Sequence, residues 1–90
     1  MQKLFMDKYF FYVVLCRNGA FYAGTTNDVS HRIKMHNEGK GAKYTRANRP
    51  VKLIYQETFA SKGEALSFEL KFKRLSRQQK EIYLKNHCNH

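Results

Sequence analysis

Ninety residues, 42% of them hydrophobic, are enough for one domain around one modest core, which excludes a second domain and a wholly disordered chain. Seventeen Lys and Arg against 7 Asp and Glu give a net charge of +10, beyond the ~2–8 that keeps a small domain soluble. That excess points to a polyanionic partner, with nucleic acid first and an anionic membrane or an acidic protein as alternatives.

Residues 1–8 show no clear period and read as a lead-in, followed by a single domain over 9–85 and a tail over 86–90. The run Tyr9-Phe10-Phe11-Tyr12-Val13-Val14-Leu15-Cys16 is aromatic and β-branched, of strand length, and apolar throughout. It predicts a central strand buried on both faces. It is too short to span a bilayer and lacks a small-residue cleavage site, so it reads neither as an anchor nor as a signal peptide. Cys16 and Cys88 stand far apart, without the spacing of a disulfide framework. A reduced, cytoplasmic setting with no membrane association is expected.

Arg17-Asn18-Gly19-Ala20 separates two apolar runs, and Asn-Gly there predicts a hairpin into a second strand from Phe21 to Gly24. Thr25-Thr26-Asn27-Asp28 supplies helix-capping residues, Val29 and Ile33 begin a helical stripe, and Gly39 stops it. The segment 39–46 reads as a flexible basic loop. Val51 to Phe59 alternates as a third strand. Ser61 with Glu64, and Ser76 with Gln79, have capping-box spacing and open two further helices. The expected fold is α+β, a three-stranded antiparallel sheet flanked by helices in the order β-β-α-β-α-α.

Hydrolysis of a phosphodiester needs an activated water, charge stabilisation on the phosphate oxygens, and a surface that holds the backbone. The hairpin carries Tyr12 and Tyr22. Arg32 and His36 are one helical turn apart and share a face of the first helix. Glu69 has Ala65, Leu66 and Phe72 at helical spacing, so a carboxylate borders the apolar side and calls for a partner or a metal. A two-residue turn at Asn18-Gly19 would put the tyrosines on opposite faces of the sheet. A shared site therefore requires an odd-length turn or a bulge between Asn18 and Ala20.

Tyr12, Tyr22-Ala23-Gly24, Arg32, His36 and Glu69, with the loop Gly39-Lys40-Gly41-Ala42-Lys43-Tyr44-Thr45-Arg46, resemble the GIY-YIG nuclease superfamily. Within it the chain is similar to the small stand-alone bacterial members related to the nuclease subunit of structure-specific resolvases. Phe10-Phe11-Tyr12 lacks the glycine that names the superfamily, Ala23 replaces its isoleucine, and Thr25 stands where some relatives carry lysine. The resemblance implies a DNA endonuclease using one divalent ion, Mg²⁺ or Mn²⁺, with Glu69 as its ligand. Arg32 would then hold the scissile phosphate. One of Tyr12 and Tyr22 would serve as general base or orient the water, with His36 assisting, and the sequence leaves open which. Structure-specific repair or recombination is the implied setting.

Lys40, Lys43, Tyr44, Arg46 and Arg49, with Lys71, Lys73, Arg74 and Arg77, are the expected nucleic-acid contacts. So small a domain leaves room for an accessory protein subunit to supply specificity. Other readings are a DNA- or RNA-binding module of the same fold without strong catalysis, and a basic adaptor for an acidic protein. Taken singly, Tyr12 also reads as a core aromatic and Glu69 as an ion-pair partner of Lys73.

Overall fold

A strand with no polar face has to lie between two covered surfaces, and β1 (Tyr9–Cys16) does so. In the computed structural model, which describes residues 8–87, it is the middle strand of an antiparallel sheet ordered β2-β1-β3, with β2 at Phe21–Thr26 and β3 at Val51–Phe59. The helices of the described residues are α1 (Val29–Asn37), α2 (Lys43–Ala47), α3 (Lys62–Lys73) and α4 (Arg77–His87). None is long and apolar enough to cross a membrane.

Alternation along β1 divides the core in two. Phe11 and Val13 join Ala23 of β2 and Phe72 and Leu84 of α3 and α4, with Phe21, Tyr55, Phe59, Phe68, Leu75 and Tyr83 packed around them. Tyr12, Val14 and Cys16 face the other way with Val51, against Tyr22, Leu53 and Ile33 of α1. The third strand serves both faces by a break in register. Val13 pairs with Tyr55 and Val14 with Leu53, which leaves Ile54 as an extra residue. Without that bulge Val51, Leu53, Tyr55 and Phe59 would all point one way. With it, the aliphatic start of β3 covers the α1 face and its aromatic end covers the other.

Local chemistry sets the connections. Gly19 has φ +89°, its N–H donates to the Cys16 carbonyl (2.8 Å), and the Cys16 N–H donates to Ala20 (2.9 Å). The turn is therefore the odd-length type with a glycine bulge, which Asn18-Gly19 alone did not decide. Asp28 caps α1 by accepting from the His31 N–H (3.1 Å). At its other end Gly39, at φ +82°, donates to His36 (3.2 Å), and Lys40 donates to Met35 (2.9 Å), closing a Schellman motif. Ser76 and Gln79 exchange both capping bonds at α4, and Ser61 caps α3 through the Glu64 N–H.

The structure departs from the sequence reading at two places. The basic segment expected to be a flexible loop contains α2, so the order is β-β-α-α-β-α-α. Five residues with no side-chain cap are too short to be helical alone. Contacts with α1 and with the β1–β2 turn hold them. At the C-terminal end α4 runs to His87, past the expected boundary at 85, and the His87 ring stacks on Tyr83 at 3.9 Å. Most of the lead-in (residues 1–7) and the end of the tail (88–90) lie outside the described residues.

Candidate active site

The odd-length turn puts Tyr22 opposite Val14 and Gly24 opposite Tyr12, so both tyrosines lie on the α1 face. The Tyr12 phenol crosses β2 over Gly24. A Cβ at that glycine would stand 2.6 Å from Tyr12 Oη, so only a residue without a side chain leaves the ring its path.

α1 brings His36 and Arg32 to the same place. His36 is wholly enclosed, at 0% exposure, with Tyr12 at 1%. Tyr12 Oη lies 2.9 Å from His36 Nε2, and the Tyr22 ring meets the imidazole edge-on, with centroids 5.5 Å apart. The two tyrosines are thus distinct: one hydrogen-bonds to the histidine, the other packs against it. On its far side, His36 Nδ1 is 2.8 Å from Thr45 Oγ1 of α2. Gly41 closes the remaining side, since a Cβ there would run into the His36 ring. Thr45, at 0% exposure, and Gly41 are participants that the sequence reading missed. One signal was available: Thr45 is an uncharged, β-branched residue in a run otherwise suited to solvent.

Electrostatics separate the buried groups. Burial, then the charge of Arg32, holds the His36 pKa below its ordinary value and keeps the ring neutral. Burial raises the Tyr12 phenol, while a hydrogen bond from Arg32 and its charge oppose that rise. Tyr22 and Glu69 add smaller upward pushes. Arg32 itself carries an orphan: its Nε–H is buried and has no hydrogen-bond partner. A buried guanidinium donor without an acceptor is costly and suits an anion such as a phosphate oxygen.

Glu69 comes from α3, and its charge adds the last and smallest upward push on the Tyr12 phenol. Its side chain is only 14% exposed and pairs with Lys73 Nζ at 2.6 Å, and that ammonium lies 5.7 Å from the centre of the Tyr22 ring. The ion pair foreseen for Glu69 therefore forms, but as one side of the site rather than on a bare helix surface. Among the described residues no group of three or more His, Cys, Asp or Glu could hold a metal. The donor set is one carboxylate with a cation already against it. It fits a hard ion such as Mg²⁺ or Mn²⁺ that keeps several waters and takes substrate oxygens.

The expected nucleic-acid contacts divide. Lys43, Tyr44 and Arg46 on α2, and Lys71 and Arg74 at the end of α3, are exposed. Lys40 is exposed beside Glu38 (3.8 Å), and Tyr44 accepts a hydrogen bond from Asn18 (2.8 Å). Arg49 and Arg77 are exposed too, but neighbouring residues engage their guanidinium groups. Arg49 donates to the Arg46 carbonyl (3.1 Å) and packs over Gly39. Arg77 stacks on Phe21 at 3.8 Å, donates to the Gly19 carbonyl (3.0 Å) and pairs with Glu81 (2.8 Å).

Comparison with known proteins identifies the family. The family model described as the GIY-YIG catalytic domain matches residues 8–87. The chain belongs to the GIY-YIG family. Similar proteins include the UPF0213 protein YazA of Bacillus subtilis, 51% identical over 83 residues that cover 92% of this chain and 84% of that protein. A UPF0213 protein of Streptococcus pneumoniae is 57% identical over 77 residues, covering 86% and 78%. Of solved structures, a UPF0213 protein from Bacillus halodurans superposes with a TM-score of 0.62 at 41% identity, covering 91% of this chain and 87% of the other. A protein from E. faecalis superposes with a TM-score of 0.64 at 46% identity, covering 93% and 91%. The GIY-YIG domain is a nuclease family with nucleic acid as its substrate class, and its nucleases generally use divalent metal ions.

Proposed function

We propose that the protein is a divalent-metal-dependent DNA endonuclease acting on branched, flapped or nicked DNA. The observation that carries this reading is the unpartnered, buried Nε–H of Arg32 beside the Tyr12–His36 pair and the Glu69 carboxylate. Guanidinium, phenol, imidazole and carboxylate come together from α1, β1 and α3, and together they supply what phosphodiester hydrolysis requires.

In the proposed mechanism Arg32 holds the non-bridging oxygens of the scissile phosphate through the donors that the fold leaves unused. Tyr12 orients the attacking water and takes its proton as the phenolic hydrogen passes to His36 Nε2, 2.9 Å away. A phenol alone is a weak base at neutral pH, so the neutral imidazole behind it makes the transfer feasible. Tyr22 packs the imidazole in place. Glu69 would hold the divalent ion, which when bound would supply Lewis acidity to the reaction. Lys43, Tyr44, Arg46, Lys71 and Arg74 bind the flanking backbone. The charge of +10 and two widely separated cysteines support action on nucleic acid in the cytoplasm, in repair or recombination. An accessory protein subunit would supply further specificity.

The test is cleavage of labelled flap and cruciform DNA with Mg²⁺ or Mn²⁺. Glu69→Ala and Arg32→Ala each lose cutting by about 10²–10³-fold or more while salt-sensitive binding persists. Binding without cutting by the wild-type protein would favour a non-catalytic module of the same fold.

A further inference from the structure

The imidazole of His36 can carry its hydrogen on either nitrogen, and only one arrangement leaves Nε2 able to accept a proton from Tyr12. Two observations at opposite ends of the hydrogen-bonded chain choose between them. At the far end, Thr45 Oγ1 lies 2.9 Å from the Ala42 carbonyl and donates to it. A hydroxyl has one hydrogen. With that hydrogen on Ala42, Thr45 Oγ1 meets His36 Nδ1, at 2.8 Å, only as an acceptor, so Nδ1 carries the hydrogen and Nε2 is bare.

At the near end, Tyr12 Oη lies 2.9 Å from His36 Nε2, and its hydrogen needs that nitrogen as its acceptor. Were Nε2 protonated, it would donate to the phenol oxygen, and the phenol's own hydrogen would be buried without that acceptor. With Nε2 bare, every hydrogen in the chain has a place: Tyr12 to His36, His36 to Thr45, Thr45 to Ala42.

We propose that Thr45 is a positioning residue that holds His36 in the tautomer whose free Nε2 takes the Tyr12 proton. Gly41 leaves room for the ring in this position, because any side chain there would occupy the imidazole's space. When water attacks phosphorus, its proton moves to Tyr12 Oη, the Tyr12 proton moves to Nε2, and Nδ1–H stays on Thr45. The imidazolium then loses its extra proton to solvent, and the leaving oxygen gains one from solvent. Thr45 also lies on the short helix that carries Lys43, Tyr44 and Arg46, so one element serves the proton acceptor and the proposed DNA surface. The catalytic consequence rests on the nuclease reading, whereas the tautomer is readable without it.

The experiment is nitrogen-15 NMR of the full chain labelled at histidine, recorded above pH 6.5, for wild type, Thr45→Val and Thr45→Ser. Wild type and Thr45→Ser should show a protonated Nδ1 and a bare Nε2 at His36. Thr45→Val, which keeps the shape and loses the hydroxyl, should move the hydrogen to Nε2. It should also lower kcat by about 10- to 100-fold with little change in KM, while serine restores it. A wild-type spectrum with the hydrogen on Nε2 overturns the proposal, and that holds even where the valine variant does not fold. So does a folded Thr45→Val protein with the wild-type tautomer. If the tautomer responds as stated but the wild type cuts no DNA, the nuclease reading fails and the positioning role stands.

Discussion

Each face of the sheet buries tyrosine hydroxyls against an acceptor from another element, and the two faces differ in what surrounds that bond. On the α3–α4 face, Tyr55 and Tyr83 donate to the same oxygen of Glu57, at 2.6 and 2.9 Å. Burial raises both phenols and the Glu57 carboxylate raises them further, so these hydrogens are held in place. Around them, Phe11 meets Phe68 and Phe72 edge-on at 4.9 and 5.1 Å, an aromatic core in which the polar trio ties β3 to α4. On the α1 face, burial raises Tyr12 as well, but the adjacent guanidinium works against it and the acceptor is a neutral imidazole. The same side chain is a structural tie beside a carboxylate and, in the mechanism we propose, a proton source beside an arginine and an imidazole. Burial alone distinguishes neither.

The sharpest way to break this contrast is to remove one hydroxyl from each face. Tyr12→Phe should lower cleavage by about 10²–10⁴-fold. Tyr55→Phe should leave cleavage unchanged and lower stability by about 1 kcal/mol in urea denaturation. Equal loss of cutting in both variants would end the distinction. The aromatic face carries more of the packing, so Phe72→Ala should lower stability by about 3–5 kcal/mol, against about 0.5–1.5 kcal/mol for Ile33→Val beneath α1.

Acid should act on the α1 face through His36. Its folded pKa lies below its unfolded value near 6.5, so below that pH the unfolded chain binds more protons than the folded one. The stability conferred by the neutral ring is present above about pH 6.5 and is lost as pH falls from there toward the folded pKa. The melting temperature of the wild type should drop across that window, and His36→Asn should flatten the drop. A slope unchanged by His36→Asn would show that the imidazole is not the buried neutral group described here.

The smallest effects separate the arginines by role. Lys43→Ala and Arg74→Ala should each reduce the slope of log affinity against log salt by about 1. Arg77→Ala should leave that slope unchanged and lower the melting temperature, because its guanidinium is engaged by Phe21 and Gly19. A reduced slope for Arg77→Ala would place that side chain on the DNA instead.

Much of the site was legible because its logic is local. Parity in the hairpin demanded an odd-length turn if Tyr12 and Tyr22 were to share a face, and Gly19 provides it. Helical spacing put Arg32 and His36 together, and capping residues located α1, α3 and α4. The basic segment misled because its composition describes its outward residues, Lys43, Tyr44 and Arg46, whereas its structure depends on the inward one, Thr45. The bulge at Ile54 was hidden for a similar reason: every residue from Leu53 to Tyr55 suits either face, so pattern alone could not show the register change.

By itself the sequence determined the strand and helix types, the strong positive charge, and which side chains share an element, since these follow from period, caps and composition. Only the tertiary structure decided that Tyr12 rather than Tyr22 bonds His36, and that the Glu69–Lys73 pair stands beside the Tyr22 ring. It alone showed that the guanidinium groups of Arg49 and Arg77 are engaged by neighbouring residues and that a threonine lies behind the imidazole. These contacts join residues far apart in the chain. Their geometry depends on how layers pack, which no spacing within one element can express.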